Sequence, residues 1–139
     1  MKRNLFLSLT ALALALVVNV AFAQSKCRAS VPFAFTVEQN SMEPGQYSIA
    51  VTDRVMQLRN DSTNATVAII AHHEETQKPQ NTRLVFHKYG DRYFLAEVWT
   101  TAGPAGASGI EIPATKAELA TRAAYQDASG PQEVVIAMR

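Results

Sequence analysis

The residues best able to do chemistry in this chain are the run His72-His73-Glu74-Glu75, the lone Cys27, and Glu97 set among strand-forming aromatics. Adjacent residues of an extended chain point to opposite sides, so His72 and His73 cannot easily share one ion. Metal-site histidines stand at i,i+4 on a helix or i,i+2 on a strand, and neither spacing occurs here. The run reads as a solvated polar loop; neither a metal nor a cofactor is implied. Catalysis by a nucleophile finds no local support either. No serine occupies a Gly-x-Ser-x-Gly elbow, and Cys27 falls in a stretch that reads as a frayed tail. Gly103, Gly106 and Gly109 lack the lysine, the preceding strand and the following helix of a phosphate-cradling loop. No catalytic set is legible, and the balance leans against an enzyme.

Glu97 depends on the strands around it. Gly90-Asp91 separates two runs of strand formers, and glycine at the first central position suits a type II′ hairpin. That register pairs Phe86 with Leu95, Leu84 with Glu97 and Thr82 with Trp99. One face then carries Leu84, Phe86, Lys88, Tyr93, Leu95, Glu97 and Trp99, the more apolar of the two and the expected core face. A slip of one residue would exchange the faces. An unpaired carboxylate there is costly and functionally suggestive, unless Arg54 or Arg59 pairs with it or it lies in water at a barrel mouth. Tyr93, Glu97 and Trp99 are therefore the ligand-binding candidates, with the two aromatics either lining a cavity or filling the core.

The elements that position this hairpin read mostly with period two. Val31, Phe33, Phe35 and Val37 alternate with Pro32, Ala34 and Thr36, as in a half-buried strand with an edge or bulge at the proline. Glu43-Pro44-Gly45 makes a turn. Strands follow at Tyr47–Val51, Val55–Arg59 and Thr66–Ala71, with a loop of turn formers at 60–64 that holds sequons at Asn60 and Asn64. Residues 101–109, TAGPAGASG, read as a flexible linker. Thr115 and Glu118 form a capping box, opening a helix whose apolar face is Leu119, Ala120, Ala123 and Ala124, with Glu118 able to pair with Arg122. Val134–Ile136 close the chain as a strand. The expected fold is mostly β: a small antiparallel barrel or curved sandwich of about seven strands with one C-terminal helix.

Composition bounds the rest. Lys2 and Arg3 precede an apolar run from Leu5 to Val18, which ends at Ala21-Phe22-Ala23. This is the pattern of a cleavable signal peptide over 1–23, too short for a comfortable membrane span. Residues 24–30 are expected to be a disordered tail and 31–139 a single β-rich domain, either periplasmic or secreted. The chain has 13 Lys and Arg against 12 Asp and Glu, so loss of Lys2 and Arg3 leaves it near neutral. Its charges are scattered singly, without the basic stripe that nucleic acid or an anionic membrane needs. One cysteine cannot make an internal disulfide, and Gln24-Ser25-Lys26 is no lipoprotein cleavage sequence.

Several segments together resemble a group of small exported bacterial proteins of uncharacterised function, abundant in acidobacterial genomes. They are VPFAFTV, EPGQY, FHKYGDRYFLAEVW and IPATKAELA, spanning roughly Val31 to Ala124; Lys88 to Trp99 is the most specific stretch. The turn in that group is usually Leu-Pro-Ala-Gly, whereas Met42-Glu43-Pro44-Gly45 stands here. The resemblance implies an extracytoplasmic domain and supplies no catalytic residues. The expected role is a non-enzymatic domain that binds a partner protein or an envelope polymer. A carrier of a small apolar ligand in a barrel cavity is the first alternative, and an enzyme whose site assembles from distant residues the second.

Overall fold

The computed structural model describes residues 26–52, 55–70, 73–75, 81–103, 106–125 and 130–139, with the backbone alone at 73–75, 102–103 and 106–108. The segment read as a signal peptide, 1–23, lies outside the described residues.

Among the described residues there are eleven strands and one helix: β1 Lys26–Val31, β2 Phe35–Val37, β3 Asn40–Met42, β4 Gly45–Val51, β5 Val55–Asn60, β6 Thr66–Ile70, β7 His73–Glu75, β8 Arg83–Tyr89, β9 Arg92–Gly103, β10 Gly106–Glu111, α1 Lys116–Tyr125 and β11 Gln132–Ala137. They form two sheets. The first is antiparallel, in the order β1-β4-β5-β6; the second runs β11-β8-β9-β10-β7, with β2 joined to β9 and β3 to β2. The fold is thus mostly β with one C-terminal helix, as the period-two pattern indicates.

The closed barrel does not form: both sheets are open. Among the described residues the main chain of the β1 edge meets the second sheet where the Arg28 N–H donates to the Arg139 oxygen and the Arg139 N–H to the Arg28 oxygen, both at 2.9 Å. A single bridge of this kind does not make a ladder.

Three segments differ from their sequence reading. The expected disordered tail at 24–30 is corrected by β1, which pairs with β4 from Lys26↔Ala50 to Val31↔Gly45. The alternation simply continues upstream, burying Ala29 and Val31 and half-burying Cys27. Pro32 then ends the strand instead of sitting within it. Within the presumed polar loop at 72–81, His73–Glu75 pairs with β10. Of the presumed linker at 101–109, residues 101–103 end β9 and 106–109 begin β10, paired from Gly106↔Gly103 to Glu111↔Glu97, and 104–105 lie outside the described residues. Small residues there fit close strand approach as well as they fit a loop.

One apolar cluster draws from both sheets. Tyr47, Ile49, Met56 and Leu58 come from the first, and Leu84, Phe86, Leu95, Val98 and Ile110 from the second. Phe35 connects the two, with ring centroids 5.3 Å from Tyr47 and 5.1 Å from Phe86 in edge-to-face geometry, the favoured arrangement for paired aromatics.

The β8–β9 hairpin turns at Gly90, which takes φ 58°. Among the described non-glycine residues only Glu38 and Asn64 take positive φ, so Asp91 does not. A positive first position and a negative second is the type II′ signature. The expected register holds from Tyr89↔Arg92 to Phe86↔Leu95 and then shifts, giving Val85↔Glu97, Leu84↔Val98 and Arg83↔Trp99. Ala96 is the extra residue of a β-bulge. Its carbonyl accepts the Ile112 N–H at 2.8 Å, so the bulge loses no hydrogen bond at that atom. Past the bulge the side chains change face: Val98 enters the core, while Glu97 and Trp99 leave it.

Candidate functional site

The second sheet's outer face, away from the shared core, carries two polar constellations, and both lie on the β8–β9 hairpin.

The first joins the sheet to α1. The helix begins as a capping box predicts, with the Glu118 N–H donating to Thr115 Oγ1 at 3.2 Å. The Glu118 carboxylate does not return to the cap or to Arg122. It is buried against the hairpin, where Oε1 accepts from the Tyr89 hydroxyl at 3.1 Å and meets His87 Nδ1 at 2.8 Å. Facing an ionised carboxylate, which can only accept, Nδ1 is the donor of that contact. Burial raises the Tyr89 phenol above its usual range, the hydrogen bond and charge of Glu118 add to the rise, and Arg122 opposes it. One turn on, Arg92 donates to Thr121 Oγ1 at 2.9 Å, and that hydroxyl donates to the Ala117 carbonyl at 2.8 Å. At the helix end Tyr125 lies on Gly90, where a Cβ would fall 2.6 Å from its ring.

This reverses the expected orientation of the helix. Leu119, Ala120, Ala123 and Ala124 face away and are exposed, while Glu118 and Thr121 are the buried pair. The sheet face beneath explains why: Tyr89 and His87 offer donors that need a buried acceptor, and only Glu118 supplies one. The contact His87 makes with Glu118 ties β8 to α1.

The second constellation holds two of the three sequence candidates. Trp99 stands directly opposite Gly109, and a Cβ on that glycine would come within 2.5 Å of the indole Cζ3. The six-membered ring therefore lies flat over the glycine backbone, an arrangement that any side chain at 109 would prevent. The indole N–H donates to Glu97 Oε2 at 2.6 Å, fixing the ring. Glu97 stands opposite Glu111 on β10. These residues and Ile110 line a notch of about 40 Å³. On the β8 side, Arg83 lies 5.7 Å from the indole centroid, and its Nε is buried with no protein hydrogen-bond partner.

Tyr93 does not join them. It keeps the core-face orientation, stacks on Phe33 at 3.9 Å between centroids with 13° between planes, and has Lys88 Nζ 5.6 Å from its centroid. The sheet separates it from Trp99. Glu97 is half-buried on the outer face, not in the core among Leu84, Phe86 and Leu95; of its two expected partners, Arg54 lies outside the described residues and Arg59 donates to Asn64 Oδ1 at 2.5 Å. Of the histidines, His72 lies outside the described residues, His73 is on β7, and His87 is held under α1. Among the described residues no three of His, Cys, Asp and Glu come together in a metal-holding group.

Sequence reasoning missed Glu118, His87 and Tyr89 as a unit. The legible part was that His87 and Tyr89 share a strand face; which helix residue would meet them was not. No protein-family profile, curated protein or solved structure matches the chain. Among the described residues no helix is long and apolar enough to cross a membrane, and with one cysteine in the chain there is no internal disulfide.

Proposed function

We propose that this chain is a non-enzymatic, extracytoplasmic binding domain that engages a partner protein through the Trp99 notch. The exported location rests on the pattern of residues 1–23. We read its two open sheets as a curved two-layer sandwich, because one apolar cluster draws on both. The observation that carries the binding role is the indole laid on Gly109 beside the facing pair Glu97 and Glu111. Like charges directly opposite on neighbouring strands repel. A cationic side chain entering between them relieves that repulsion, gains charge-assisted hydrogen bonds and lies against the ring. Arginine suits the notch best, since its planar fork can stack and bond two carboxylates at once. The notch is lined by residues of β9 and β10, and Arg83 stands on β8, on the other side of β9. The carrier alternative is framed on a barrel cavity, whereas the sheets here are open.

Trp99 is the chain's only tryptophan, so its fluorescence reports this site alone. An arginine-rich peptide is expected to change the emission saturably, with the effect weakened by salt and abolished in the double variant Glu97→Gln/Glu111→Gln. An envelope polymer is the second reading, favoured by the same flat indole. A neutral oligosaccharide that changes the emission where the peptide does not would replace the first reading with the second. If neither does, the notch is not a binding site.

A further inference from the structure

A second surface arises from residues at the two ends of the described chain, and it has the opposite chemistry. At the junction of the sheets, where the main chains of Arg28 and Arg139 exchange hydrogen bonds, an open groove of about 420 Å³ is lined by Lys26, Arg28, Ser30, Gln46, Ala137 and Arg139. Its volume lies in the range of small-ligand sites. Lys26, Arg28 and Ser30 alternate on the outward side of β1, and Gln46 stands opposite Ser30 on β4. Arg139 arrives from beyond β11 through its backbone pairing with Arg28.

The lining is rich in donors. Three side chains are basic, and the hydroxyl of Ser30 and the amide of Gln46 can donate as well as accept. Among the described residues no carboxylate side chain lines the groove. Asp61, an acid close by in the fold, is engaged by the Ser48 hydroxyl at 2.7 Å, and Ser48 is the cross-strand partner of Arg28. A concave set of donors with three positive charges and, among the described residues, no negative side chain is complementary to a group that is all acceptor and multiply charged. We infer that the groove binds a phosphate group, with Arg28 and Arg139 as bidentate clamps and Lys26 as the third charge.

This surface is independent of the Trp99 notch, and its ligand is repelled by the carboxylates there. It also qualifies the sequence-level reading: charges scattered singly along the chain are gathered into one basic site by the β1–β11 junction. The phosphate could belong to a soluble molecule or to the headgroup of an anionic lipid, and the two sources are separable.

The test uses the purified protein and two probes. Pyrophosphate is titrated while backbone amide resonances are followed, and in parallel the protein is sedimented with phosphatidylglycerol vesicles and with phosphatidylcholine vesicles. Pyrophosphate is expected to shift amides of residues 26–30, 46 and 137–139 saturably while leaving those of 97–111 in place. The variant Lys26→Gln/Arg28→Gln/Arg139→Gln changes only exposed side chains and keeps the fold. It should bind more weakly by about tenfold for each charged contact removed. Saturable pyrophosphate binding that the variant loses supports a soluble phosphate. Sedimentation with phosphatidylglycerol vesicles alone, also lost in the variant, supports a lipid headgroup. No localised shifts together with no vesicle binding overturns the inference, as does unchanged binding by the variant.

Discussion

The two faces of the β8–β9 hairpin are sealed in different ways. Its inner face meets the other sheet through Leu84, Phe86, Leu95 and Val98, all essentially without exposure, and cohesion there is area removed from water. Its outer face meets α1 through a carboxylate, an imidazole, a phenol and a hydroxyl–guanidinium pair. Apolar contact is non-directional and tolerates small shifts. The polar contact fixes the helix at one position, because each donor needs its own acceptor. The inner face therefore supplies stability and the outer face supplies placement, leaving the rest of the outer sheet, with Trp99, free to meet something else.

The sharpest way to break this comparison is to empty the inner face. Phe86 touches Phe33 and Phe35 edge-on and is fully buried, so Phe86→Ala should lower stability by about 3–5 kcal/mol, measured by urea denaturation. A loss below 1 kcal/mol would mean that the hairpin is not the shared core.

A smaller effect separates the two sides of α1. Glu118→Ala leaves the Tyr89 and His87 donors without their acceptor and should cost about 1–3 kcal/mol. Leu119→Ala, on the exposed side, should stay within about 0.5 kcal/mol. Had the helix packed on its apolar face the order would invert, so the pair of variants decides the orientation.

The smallest expected effect is alkaline. Burial is the main cause raising the phenols of Tyr47 and Tyr89 above the ordinary 10.0. In the unfolded chain these groups ionise first, so the folded state holds the extra protons. Stability is then intact below pH 10 and falls as pH rises through 10 toward the folded values. Each tyrosine contributes at most about 1.4 kcal/mol per pH unit. Tyr89→Phe should flatten that slope, read from denaturation midpoints between pH 9 and 11; an unchanged slope would place the phenol in water.

What the sequence made legible follows from locality. The turn at Gly90-Asp91, the first four pairs of the hairpin and the capping role of Thr115 depend on neighbours within a few residues, and all are present. The bulge at Ala96 is not local: its carbonyl is satisfied by Ile112, which the pattern around β9 does not reveal. One inserted residue moved Glu97 and Trp99 across the sheet, so Tyr93, Glu97 and Trp99, which alternate in sequence, do not share a face. The helix was misoriented for a related reason. Small alanines make a weak apolar face, and a sheet surface with two unsatisfied donors outweighs it. The basic groove joins β1 to the end of β11, a separation no local pattern spans.

The central claim is that the bulge turns Trp99 outward, into a notch flanked by carboxylates. It is tested most directly by quenching the single tryptophan's fluorescence with caesium and with iodide at equal ionic strength. An outward indole beside Glu97 and Glu111 predicts accessible emission, with caesium quenching more strongly than iodide. Emission that neither ion quenches would put Trp99 back inside the core, on the unbulged register, and contradict the account.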